Sequence, residues 1–242
     1  MQIKKILTLT ALAFLSMQAS AIDLSFFDQT EQSKSIQQDR LTQRLNDLYS
    51  KASKAYITGN YIKAFKLFKK LADQGHSYAQ FSLGTMYHNG QGILQNKTMA
   101  ARWYRLSANQ GHIIAQYNLG ALYYQGAGVD KSYSLAFKWF SQAASLGYAD
   151  AQYNLATMYF TAKGVARNYH EAFKWFQRAA EQGDINSQYN LAVMYQRGLG
   201  TKKNMAMAFH WHAKAAQKGQ QQSRAWLLAR FSNYPQAAGK LN

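Results

Sequence analysis

The side chains able to do chemistry are few, and most of them are periodic. The six histidines are His76, His88, His112, His170, His210 and His212, and no two stand three or four apart, the spacing that would set a ligand pair on one helix face. His210 and His212 are two apart and point to different faces of a helix. Without cysteine, thiol nucleophiles, Cys-based zinc sites, disulfides and acyl anchors are excluded together. No serine sits in a Gly-x-Ser-x-Gly elbow, no glycine-rich phosphate loop is present, and the 11 acidic residues form no recurring pair. These patterns predict a chain with no catalytic group, no metal site and no cofactor. Two other series recur instead. Asn118, Asn154 and Asn190, each preceded by a tyrosine (Tyr117, Tyr153, Tyr189), offer amides that donate and accept hydrogen bonds at once. Lys66, Arg102, Lys138 and Lys174 recur at the same spacing and would form a stripe of cations that attracts anionic surfaces, less strongly as salt rises.

Both series belong to a 36-residue repeat. Gly75, Gly111, Gly147, Gly183 and Gly219 mark its period. Ala115-Gln116-Tyr117-Asn118-Leu119-Gly120 has counterparts starting at Ala79, Ala151 and Ser187, and Trp103, Trp139, Trp175 and Trp211 recur in the second half of each unit. Self-similarity of this kind marks a solenoid. Within a unit, Ala115, Leu119, Leu122 and Tyr123 form one apolar helical stripe, the loop Gln125-Gly126-Ala127-Gly128-Val129 stops it, and Ala136, Trp139, Phe140 and Ala143 form a second. The small column Gly84/Gly120/Ala156/Ala192 is expected to let the two helices approach, with the tryptophan filling the space beside it. One hairpin cannot bury its own apolar face, so the units must stack. The fold class expected is all-α, a right-handed superhelical solenoid of antiparallel helix pairs, with the aromatic columns as its core.

The 242 residues carry 28 Lys and Arg against 11 Asp and Glu, a formal charge of +17. Lys4 and Lys5, the apolar run 6–17 and Ala19-Ser20-Ala21 read as a Sec signal peptide cleaved after Ala21. A dozen apolar residues fall short of the roughly 20 that span a bilayer. This reading predicts a periplasmic or secreted protein with no transmembrane segment after cleavage, an acidic partner surface, and no nucleic-acid partner despite the charge.

The Ala-Gln-Tyr-Asn-Leu-Gly/Ala run, the tyrosine that follows it, the Gly-x-Gly loop and the Ala-x-x-Trp-Phe/Tyr stretch resemble Sel1-like repeats, relatives of tetratricopeptide repeats. The expected organisation is a signal peptide (1–21), a mobile segment (22–39), a tetratricopeptide-like capping hairpin (40–75), four repeats (76–111, 112–147, 148–183, 184–219), and a C-terminal capping helix with a tail (220–242). The resemblance implies a non-catalytic scaffold that holds a protein or peptide along its concave groove. By analogy with tetratricopeptide grooves, Asn118, Asn154 and Asn190 would grip an extended backbone, with Tyr117, Tyr153, Tyr189 and Gln125 beside them. The same asparagines in a purely structural role would keep neighbouring units in register. The alternative function is a binder of envelope polyanions such as peptidoglycan or anionic lipid headgroups through Lys66, Arg102, Lys138 and Lys174, or an immunity-type protein that neutralises a secreted toxin.

Overall fold

The computed structural model describes residues 32–231, and among them the chain is helical throughout, without strands. Helix α1 covers residues 32–57. It is followed by α2 (Tyr61–Asp73), α3 (Ser77–Asn89), α4 (Lys97–Asn109), α5 (Ile113–Gln125), α6 (Tyr133–Ser145), α7 (Ala149–Thr161), α8 (Tyr169–Glu181), α9 (Ile185–Arg197), α10 (Met205–Gln217) and α11 (Gln221–Phe231). Each helix packs on the one before and the one after it, which is the arrangement of a helix-hairpin solenoid. No helix among the described residues is long and apolar enough to cross a membrane.

The helix boundaries follow from cap chemistry. Asn96, Ser132, Asn168 and Asn204 cap the second helix of successive units, each accepting from a backbone N–H three residues on. First helices are capped by His76 and His112, whose Nδ1 atoms accept from the N–H of Ala79 and Ala115, and by Asp184. They end in a left-handed residue at Gly90, Gly126, Ala162 and Gly198. Ala162, at φ 60°, is the one non-glycine with positive φ among the described residues.

Packing inside a unit differs from expectation in one respect. A Cβ placed on Gly84 would lie 2.7 Å from the Tyr104 ring, and one on Gly120 would lie 2.9 Å from Phe140. The small column therefore faces the aromatic residue after each tryptophan, not the tryptophan itself. Trp103, Trp139 and Trp211 are buried on another side of their helices, and Trp175 is half-buried.

Stacking between units rests on two devices. The second loop glycine of each unit lies directly on the first turn of the preceding unit's second helix: Gly128 on Lys97, Gly164 on Tyr133 and Gly200 on Tyr169, where a Cβ would collide with backbone atoms. A buried glutamine, Gln80, Gln116, Gln152 or Gln188, donates to the last-turn carbonyl of Ala72, Ala108, Ala144 or Ala180. Residues 32–39 are the first turns of α1, eight residues before the start expected at Arg40. The signal-peptide reading and the tail after 231 lie outside the described residues.

Candidate functional site

The asparagine column lies on the first helices, where helical periodicity aligns α3, α5, α7 and α9. Asn118, Asn154 and Asn190 are all half-buried. Asn154 and Asn190 donate through Nδ2 to the carbonyl four residues back on their own helix, at 2.8 and 3.0 Å. Asn118 reaches the Tyr104 hydroxyl and Asn154 the Tyr117 hydroxyl, both on the preceding unit. Each amide has two donors and an acceptor, so these bonds hold the side chain in place and leave part of its capacity unused.

The tyrosines beside them are more committed. Tyr117 is half-buried, 5.1 Å from the Tyr148 ring and 5.7 Å from Phe140. Tyr153 lies against Phe176 and Tyr189 against His212, each with ring centroids 5.9 Å apart. These ring contacts link neighbouring helices and fix the tyrosines beside the amides. Burial, helped by the Asp150 carboxylate, holds the Tyr117 phenol above its usual pKa, and the same two causes push Tyr148 up to about 12. Gln125, at the end of α5, is exposed.

The cation series lies on the second helices. Lys66, Arg102, Lys138 and Lys174 are exposed, but they are not equivalent. Lys174 pairs with Glu171 at 2.8 Å, which partly neutralises it. Lys138 sits 5.8 Å from the Trp139 ring centroid. Lys66 and Arg102 have no ion-pair partner among the described residues. Cations also cover the other tryptophans, with Lys69 near Trp103, Arg178 near Trp175 and Lys214 near Trp211.

Two features escaped the sequence reading. At the C-terminal end, His212 occupies the column of Tyr104, Phe140 and Phe176. It is 1% exposed, with Nδ1 3.0 Å from Ser223 Oγ and its ring stacked on Trp226 at 4.1 Å. Burial, with Arg230 nearby, lowers its pKa to about 4. At the N-terminal end, a cavity of about 260 Å³ opens between α1 and α3. Its signal in the sequence was Ser82, which stands where the later units have asparagine.

The Sel1 repeat family model matches residues 48–76, 77–112, 113–148, 149–184 and 185–220. Five units are thus counted, and part of the hairpin expected as a tetratricopeptide-like cap is the first of them. Among solved structures, a protective antigen of uropathogenic Escherichia coli with an SLR fold is 34% identical (TM-score 0.71), the match covering 77% of this chain and 44% of that one. The chain thus corresponds to less than half the length of that antigen. A Sel1 repeat protein from Oxalobacter formigenes is 30% identical (TM-score 0.71), with 75% of this chain and 74% of that chain covered. An immunity protein from Pseudomonas aeruginosa is 19% identical with a TM-score of 0.44, over 74% of this chain and 68% of its own; that likeness is too distant to bear on function. No curated protein matches the chain.

Proposed function

This chain belongs to the Sel1 repeat family, whose solenoids generally serve as protein-interaction scaffolds without catalysis, and from that premise we propose that it is an exported adaptor holding an extended segment of a partner protein along its first-helix face. The observation that carries this reading is the amide column. Asn118, Asn154 and Asn190 recur on one face at one-unit intervals, positioned by bonds that leave hydrogen-bonding capacity for a ligand backbone. An extended peptide presents N–H and C=O groups that such amides can pair. The N-terminal sequence supports export to the periplasm or beyond.

A second reading, polyanion binding, is favoured by the exposed Lys66 and Arg102, which have no ion-pair partner among the described residues. The two readings place the ligand on different helices, so one experiment separates them. A photo-crosslinker at exposed Gln125 is expected to capture one discrete protein adduct in the exporting cell. The adduct should vanish when Asn118, Asn154 and Asn190 are all Ala, in a variant whose helix content is unchanged. It should survive reversal of Lys66 and Arg102 to Glu and moderate salt. An adduct lost with the charge reversals but kept by the triple variant would assign function to the basic stripe instead.

A further inference from the structure

The first-helix face is nearly free of charge in a chain that carries 28 Lys and Arg against 11 Asp and Glu. Helices α3 and α5 contain no Asp, Glu, Lys or Arg, α7 contains only Asp150 and α9 only Arg197. His88, on α3, is neutral at pH 7, because burial keeps its pKa below the ordinary value. The cations at the start of the array are turned elsewhere: Lys51, Lys54 and Lys63 line a separate depression with Thr58 and Asn60. In place of charge, the N-terminal end of the face carries apolar side chains. Tyr78 is 59% exposed and Ile114 40% exposed, each one turn before a residue of the amide column, Ser82 or Asn118. Beside them lies the cavity between α1 and α3, walled by Tyr49, Ile57, Phe68 and Phe81 together with Ser82 and Thr85. Ile57 stands there 82% exposed.

The cavity is in register with the amide column. Ser82 and Thr85 line it, and one unit on their columns hold Asn118 and Ala121. The Tyr104 hydroxyl bonds Thr85 at 3.2 Å and also reaches Asn118, so the cavity wall and the first asparagine meet at one phenol. A segment paired at Asn118 therefore reaches the cavity within one unit. The space suits a single side chain: an apolar cavity of about 150 Å³ holds a benzene ring, and this one has about 260 Å³. Charge restricts the occupant further. An ionised group pressed onto this face would lose its water and meet no opposite charge, which is unfavourable. The net positive charge taken alone favours an acidic partner, but its distribution puts that attraction on other surfaces.

We propose that this cavity is the anchor pocket of the first-helix face, taking one large uncharged side chain, aromatic or branched aliphatic, from an uncharged extended segment of a partner protein whose backbone is paired at Asn118. The inference rests on the reading of that face as a peptide groove and adds the chemistry of the peptide. Burial against Tyr49, Ile57, Phe68 and Phe81 supplies affinity and fixes the register, while the amides hold the backbone. Neither contact uses charge, so binding changes little with salt, in contrast to attachment through Lys66 and Arg102.

The test has two arms on the full chain. In the first, N-acetyl-phenylalanine methylamide is titrated by NMR, with N-acetyl-aspartate methylamide as the charged control. The phenylalanine probe is expected to shift signals of Tyr49, Ile57 and Phe81, and the aspartate probe is not. Ser82→Phe, which fills the cavity and forfeits only a bond to the Tyr78 carbonyl of its own helix, should abolish the shifts. Ile57→Asp, at an exposed position that the fold tolerates, should weaken the probe several-fold with helix content unchanged. Shifts absent in the parent, or unaltered in both variants, would overturn the pocket. So would a dimer of the chain that the probe disperses, since the occupant would then be a second copy. In the second arm, random peptides displayed on phage are selected on the immobilised chain. The expected sequences carry one Phe, Trp, Leu or Ile flanked by uncharged residues, and their binding is reduced several-fold by Ser82→Phe. Enriched acidic sequences would overturn the proposal. Probe shifts without any enriched peptide would uphold the pocket and count against the groove reading alone.

Discussion

A single orphaned atom shows how closely each residue is tied to its column. Gln110 and Gln182 donate to Gln80 Oε1 and Gln152 Oε1 across unit boundaries, at 2.7 and 2.8 Å. The equivalent residue one unit on from Gln110 is Leu146, which is 55% exposed and has no amide to offer. Gln116 Oε1 is accordingly buried without a partner. A buried acceptor left unmade costs more than an average hydrogen bond contributes. Leu146→Gln is therefore expected to stabilise the fold by about 0.5–1.5 kcal/mol, read as a raised urea midpoint at unchanged slope. A neutral or destabilising result would mean that water already serves Gln116. Lys218 occupies the same column at the last boundary, but its Nζ goes to the Gly183 carbonyl at 2.9 Å, and Gln188 Oε1 is likewise unpartnered.

At the level of helices and loops, two glycines in one loop do different jobs. Gly126 ends α5 in the left-handed region, and a Cβ there would come no closer than 3.0 Å to Lys131. The fourth unit places Ala162 at this position, so an alanine is tolerated at the cost of its backbone conformation. Gly128 combines φ +73° with direct contact on the backbone of Lys97. Gly126→Ala should cost about 1–2 kcal/mol, the penalty of the left-handed conformation alone. Gly128→Ala should cost clearly more, since the loop must lift from α4 as well. Equal losses in thermal unfolding would show that the close approach is not what selects glycine.

The same pair explains what the sequence made legible. Helix number, loop positions and the stacking glycines were readable because a 36-residue period repeats each constraint. Which aromatic faced the small column was not, because Trp139 and Phe140 are adjacent and periodicity alone does not orient a helix about its axis. The asparagines and tyrosines lie on the first helices, and the packing of Tyr117, Tyr153 and Tyr189 on Tyr148, Phe176 and His212 was not legible, because it depends on contacts between helices. The N-terminal cavity is lined by one departure from the consensus, Ser82, which a search for recurrence passes over.

For the molecule as a whole, these departures add up to a definite response to pH. His76, His112 and His212 all have pKa values below the ordinary 6.5, chiefly because burial disfavours the imidazolium. His76 and His112 must also keep Nδ1 unprotonated to cap α3 and α5, at helix ends where positive charge is unfavourable. The unfolded chain takes up these protons near 6.5 and the folded chain only at lower pH. Their contribution is therefore complete above pH 6.5 and is lost as pH falls through the folded-state values, down to about 4 for His212. For His212 the difference is on the order of 3 kcal/mol, enough to release α11 from the end of the array before the central units unfold, since each unit is held only by its neighbours. The phenols of buried Tyr104 and half-buried Tyr148, raised above 10, give the opposite limb, with stability falling as pH climbs through 10. Hydrogen exchange at pH 7.5 and pH 5 is the measurement that reads this. Amides of α11 should lose protection first and most at pH 5, and His212→Phe, which restores the ring of the other units, should abolish that selective loss although Ser223 forfeits its partner. Uniform loss along all the helices, unaltered by His212→Phe, would place the acid sensitivity in the caps of α3 and α5 instead.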